Sequence, residues 1–83
     1  MTDRNYYYEE IDFARLIKTE RKRRGLSLSK MAESVLVSAS YISLIETGKR
    51  QTPSFVIASR IINFFGLNQN ELSMYVKNQR NNS

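Results

Sequence analysis

Along the chain, apolar residues recur every three or four positions and are broken by single glycines and short polar stretches. That spacing predicts helices, because half-buried strands alternate at every second residue. Five segments emerge. The first spans residues 11–24. Ile11, Ala14 and Ile17 form a stripe with Phe13 and Leu16 beside it, and Gly25 stops it after the basic turn "RKRR". Basic side chains suit a helix C-terminus, where the helix dipole is negative. The second spans 27–35, with Ser27 as its cap and Leu28, Met31, Ala32 and Val35 on one face. The third starts at Ser38, carries Tyr41, Ile42 and Ile45, and ends before Gly48. The fourth follows "TPS": either Thr52 caps it with Pro53 in the first turn, or Ser54 is the cap. Phe55, Ala58, Ile61, Ile62 and Phe65 form its stripe, and Gly66 stops it. The fifth starts at Asn68, which has the spacing of a capping box with Glu71; Leu72, Tyr75 and Val76 give it an apolar face.

The second and third segments are too short to be stable alone and must be held by packing. Two short helices joined by a tight turn make a helix-turn-helix candidate. The fold class predicted is all-α, a compact five-helix bundle. Residues 1–10 form a tyrosine-rich extension, 11–77 the folded domain and 78–83 a flexible polar tail. The "YYY" at 6–8 either extends the first helix and packs back on the domain, or contacts another protein. The fourth segment is more apolar than one core face requires, since Val56, Ile57 and Phe64 lie beside or beyond its stripe. Together with Leu67, Met74 and Tyr75 they are the candidates for a second buried surface, against the fifth helix or another copy of the chain.

Composition narrows the chemistry. Thirteen Lys and Arg against eight Asp and Glu give a net charge of +5, which favours a polyanionic partner, nucleic acid first. With no cysteine and no histidine, a disulfide framework and the usual zinc ligands are excluded. No nucleophile stands with a base and no Gly-rich phosphate loop occurs, so neither enzyme chemistry, a metal nor a cofactor is expected. The longest apolar run is four residues, 55–58, too short for a membrane span. A cytoplasmic protein without a membrane partner is the expectation.

The stretch "GLSLSKMAESVLVSASYISLIETGKRQTPSF", followed by "GLNQNEL", carries a family pattern. A small residue, Ala32, stands in the second helix. Ile42, Ile45, Glu46 and Gly48 follow at fixed spacing, and then come Lys49, Arg50, Pro53 and Phe55. On these positions residues 13–72 resemble the Cro/cI-type (XRE-family) helix-turn-helix repressors. The resemblance implies a lambda-repressor-like DNA-binding domain that acts on double-stranded DNA in the nucleoid and dimerises through its C-terminal half. It also implies an ion pair between Arg21 and Glu46 that orients the first and third helices.

By the same resemblance Ala39, Ser40, Ser43, Leu44 and Thr47 face the major groove. Ser27, Leu28, Ser38, Tyr41, Lys49, Arg50 and Gln51 complete the candidate DNA-binding set. Arg and Lys read guanine and Asn and Gln read adenine, and none of the four lies on that face. Serines discriminate poorly, whereas Ala39 and Leu44 suit thymine methyls. T-rich half-sites read by apolar contact and DNA shape are therefore expected. Three positions depart from the pattern: Leu36 stands where glycine is usual, Glu20 where a core residue is usual, and Leu28 where glutamine is frequent. Glu20 either tilts outward or pairs with a basic neighbour. These departures leave a second reading, a module that binds and modulates another regulatory protein.

Overall fold

The computed structural model describes residues 8–50 and 52–77. Five α-helices follow a 3-10 turn at Tyr8–Glu10: α1 Phe13–Arg23, α2 Leu28–Ser34, α3 Ala39–Glu46, α4 Phe55–Phe65 and α5 Gln69–Ser73. Tyr6, Tyr7, Gln51 and the tail 78–83 lie outside the described residues.

All five helices begin alike. A cap residue (Asp12, Ser27, Ser38, Ser54 or Asn68) accepts the backbone N–H three residues on. This satisfies one of the four N–H groups that every helix start leaves without a partner. An apolar residue precedes each cap, and a second apolar residue stands five positions after the first. The pairs are Ile11 with Leu16, Leu26 with Met31, Val37 with Ile42, Pro53 with Ala58, and Leu67 with Leu72; every member is buried or half-buried. This is the spacing of a hydrophobic staple, which fixes the angle at which the chain enters a helix. It moves the start of α1 from Ile11 to Phe13, and it selects Ser54 over Thr52 as the cap of α4. The capping box at Asn68 and Glu71 forms in both directions.

Three helix ends share one geometry. After α1, Gly25 N–H donates to Lys22 and Leu26 N–H to Arg21; after α4, Gly66 N–H donates to Asn63 and Leu67 N–H to Ile62. After α2 the same two bonds run from Leu36 to Glu33 and from Val37 to Ala32. This closure needs a left-handed residue, which glycine supplies without steric cost. Leu36 supplies it at φ 63°. A leucine held there costs roughly 1–2 kcal/mol. Its side chain is 73% exposed and recovers almost none of that by burial.

The core is drawn from the first four helices: Phe13, Leu16 and Ile17 of α1, Met31 and Ala32 of α2, Ile42 and Ile45 of α3, and Ala58, Ile61 and Phe65 of α4. Phe55, assigned by periodicity to the inner stripe of α4, is 71% exposed instead. As the first residue of its helix it looks outward, where the Tyr8 ring lies 5.3 Å away. Tyr8 belongs to the 3-10 turn and does not lengthen α1.

Glu20 is only 2% exposed, yet it is not orphaned. Arg23 and Arg24 reach its carboxylate at 3.1 and 3.2 Å, and the Tyr75 hydroxyl donates to it at 2.6 Å. A buried carboxylate is tolerable only when paired and hydrogen-bonded in this way. Tyr75, a candidate for an outer interface, is consequently inside the domain at 3% exposure. Around it the two ends of the domain are laced together. Asp12 N–H donates to the Tyr75 carbonyl at 2.7 Å, Lys77 N–H to Glu10 at 2.8 Å, and Arg15 Nη2 to Met74 at 2.6 Å. Ile11 and Val76 form a single antiparallel bridge.

Burial, and then the bond to Glu20, raise the Tyr75 hydroxyl above its ordinary pKa. Because the folded value is the higher one, its contribution is whole below about pH 10 and is lost as the pH climbs through the raised value. Tyr75→Phe is expected to lower stability at neutral pH by about 1–3 kcal/mol and to flatten the alkaline decline. Urea midpoints from pH 7 upward check this; equal midpoints for both proteins would contradict it. Leu36→Gly relieves the strained turn but loosens the unfolded chain. A net gain of about 0.5–1 kcal/mol is expected in the same assay, and a lower midpoint would show that the leucine makes compensating contacts.

Candidate nucleic-acid interface

The α2–α3 pair bends by 113°, within the range of helix-turn-helix units. One guanidinium fixes this pair to α1. Arg21 donates through Nε to Glu46 Oε2 at 2.7 Å, through Nη2 to Glu46 Oε1 at 3.1 Å, and through Nη1 to the Leu26 carbonyl at 3.0 Å. Both side chains are mostly buried, at 17% and 10% exposure. The bond to Glu46 raises the Arg21 pKa above its already high ordinary value, so the guanidinium keeps its charge. The remaining arginines of "RKRR" also pair within the domain, from its surface. Arg23 and Arg24 hold Glu20, and Arg24 donates to the Phe65 carbonyl at the end of α4 while lying 4.6 Å over the Phe65 ring. The densest charge in the chain is thus largely structural. Arg60, which the sequence pattern did not single out, donates to the Val35 carbonyl at the end of α2. A lone cation in an apolar helix was its only signal.

With the inner face of α3 committed to the core, Ser40 and Leu44 are exposed and Ser43 is half-exposed. Ala39 is half-buried against the core, so only part of its methyl surface is available. Leu28 and Tyr41 are also half-buried there. The Thr47 hydroxyl turns back onto the Ser43 and Leu44 carbonyls, at 2.9 and 3.3 Å. Ser27 and Ser38 accept N–H groups from Lys30 and Tyr41. A hydroxyl that accepts in this way still has its own proton to donate outward. Each serine therefore sits at a helix start with a free donor, where the dipole favours an anion.

Gly48 closes α3, and the loop turns sharply, with Arg50 N–H donating to the Leu44 carbonyl at 3.0 Å. Lys49 and Arg50 are both exposed. The Arg50 guanidinium lies 5.0 Å from the centre of the Tyr41 ring. Cap serines, the exposed face of α3 and a cationic loop thus follow one another along a single stretch of chain. On α4 and beyond, Val56, Phe64 and Met74 are exposed at 53%, 38% and 65%. Ile57 and Leu67 are half-buried on the domain's own core and leave a smaller outer patch than the sequence suggested. Among the described residues no group of carboxylates is placed to hold a metal ion, and no single helix is long and apolar enough to cross a membrane.

Comparison with known proteins agrees with this geometry. Residues 12–73 match the helix-turn-helix domain family. Among solved structures, SinR, the master regulator for biofilm formation, crystallised in complex with DNA, superposes with a TM-score of 0.65 at 31% identity. The match covers 74% of this chain and 97% of that one. No curated protein shows significant similarity to the chain. With an all-helical fold, a bent α2–α3 pair and a family match over most of its length, the chain belongs to the helix-turn-helix domain family, as a Cro/cI-type (XRE-family) DNA-binding transcription regulator and not an enzyme.

Proposed function

We propose that the protein is a sequence-specific repressor that binds double-stranded DNA as a homodimer, with α3 and its cap Thr47 in the major groove. The observation that carries this reading is the free face of α3, flanked by two serine-capped helix starts and a cationic loop. SinR was crystallised with DNA, and the shared fold supports the same class of partner for this chain. Ser27, Ser38, Ser43, Lys49 and Arg50 contact phosphates and set the register. Gln51 joins them by its place in the loop. Such contacts position a protein without reading sequence. Ser40, Leu44 and the exposed part of Ala39 meet base edges, with thymine methyls the natural partners of the two apolar residues. Leu28 contributes its helix start and no side-chain hydrogen bond. Val56, Phe64 and Met74, with the outer edges of Ile57 and Leu67, form the seam between subunits, and Tyr75 supports it from inside. Repression follows from occupying the site, and the protein works in the cytoplasm at the nucleoid.

A donor-poor α3 and the exposed Leu36 favour one other reading, a module that docks on another regulator. Salt separates the two, because DNA affinity falls with salt in proportion to the phosphates contacted. Fluorescence anisotropy on a duplex across a salt series is expected to give a steep negative slope. Lys49→Ala with Arg50→Ala is expected to reduce it by about two. An unchanged slope would remove the loop from the interface, and no binding at low salt would favour the docking module.

A further inference from the structure

Tyr41 is the one aromatic residue on α3, and two observations give it a task that its place in the helix does not explain. Its ring is half-buried against the core, so its position is fixed. The Arg50 guanidinium lies over that ring at 5.0 Å, while the Arg50 backbone N–H is tied to the Leu44 carbonyl on the same helix. Both ends of Arg50 are therefore anchored to α3, although the residue belongs to the loop.

We propose that Tyr41 is a positioning residue for DNA binding: its ring seats the Arg50 guanidinium, and the hydroxyl is dispensable. The inference rests on the DNA-binding reading above and adds how one phosphate contact is held in register with the reading helix. A guanidinium is planar. Stacked on a ring it uses its face, and its five N–H donors stay at the edge, free for the two oxygens of a phosphate. An unseated arginine would have to lose its rotamer freedom on binding, whereas a seated one has lost much of it already. A lysine ammonium can lie over a ring but offers no flat face and no fork, so the seat favours arginine at position 50. Arg50 also borders a shallow depression of about 270 Å³, lined with it by Asp12, Ala14, Gly48 and Lys77.

The test measures affinity for a duplex of about 30 base pairs, long enough for two half-sites. The proteins compared are the native chain, Tyr41→Phe, Tyr41→Leu, Arg50→Ala, Arg50→Lys and the Tyr41→Leu/Arg50→Ala double variant, each checked for folding by circular dichroism. Tyr41→Phe is expected to bind within about twofold of native, and Tyr41→Leu about three- to fivefold more weakly, the range of an exposed cation–π contact. Tyr41→Leu should add nothing once Arg50 is alanine, and Arg50→Lys should lose most of what Arg50→Ala loses. The proposal is overturned if Tyr41→Phe is as damaging as Tyr41→Leu, which would make the hydroxyl the contact. It is also overturned if Tyr41→Leu weakens binding equally with and without Arg50. Arg50→Lys, an exposed change, keeps the question decidable should Tyr41→Leu not fold: native-like affinity would again overturn the proposal. Failure of the native chain itself to bind any duplex at low salt would sink the DNA reading beneath it, a different result from any pattern among the variants.

Discussion

The bidentate pair between Arg21 and Glu46 is the constraint on which the arrangement of this domain turns. Glu46 is the last residue of α3, where the helix dipole disfavours a carboxylate. Arg21 offsets that cost and, through Nη1, holds the Leu26 carbonyl at the entrance to α2. One side chain thereby sets α1, the approach to α2 and the far end of α3. Replacing such a pair by apolar residues is often neutral for stability, so its contribution lies in angle and register. For a helix proposed to lie in a groove, those are the quantities that matter.

The second buried charge does related work from the adjacent position on α1. Glu20 gathers Arg23, Arg24 and Tyr75, and Tyr75 brings with it the segment that pairs with residues 10–12. In so small a chain the hydrophobic core alone gives a narrow margin of stability. Lacing residues 10–12 to residues 75–77 closes the bundle where α5, only five residues long, is too short to do so by packing.

Much of this was legible in the sequence. The glycine stops, the serine caps, the capping box at Asn68 and the small residue at Ala32 all follow from local backbone chemistry. The start of α1 was misplaced because Ile11 lies on the helical stripe by count although it stands before the cap. The repeated dipeptide of an apolar residue and a cap, present at all five helix starts, carried the missing information. Phe55 and Tyr75 were misassigned for a different reason. Periodicity gives a direction around the helix axis, but it does not say whether the first residue has a neighbour to pack on. Nor does it say that a tyrosine hydroxyl will find a buried carboxylate 55 residues away. At the interface, residue types announced an α3 poor in hydrogen-bond donors. They could not announce that Arg50 sits on Tyr41, because that contact depends on how sharply the loop turns after Gly48.

The consequence for function is a division of labour. On the proposed reading, phosphate contacts come from the helix starts, Ser43 and the loop, and base reading is left to Leu44, Ala39 and Ser40. Such a surface should prefer thymine methyls and deformable DNA over any fixed guanine or adenine. Selection from a random double-stranded DNA library at about physiological salt, where nonspecific binding is weakened, tests this most directly. The account predicts an inverted repeat of T-rich half-sites about one helical turn apart. An enriched motif defined by invariant guanines, or retention with no enriched motif at all, would contradict it.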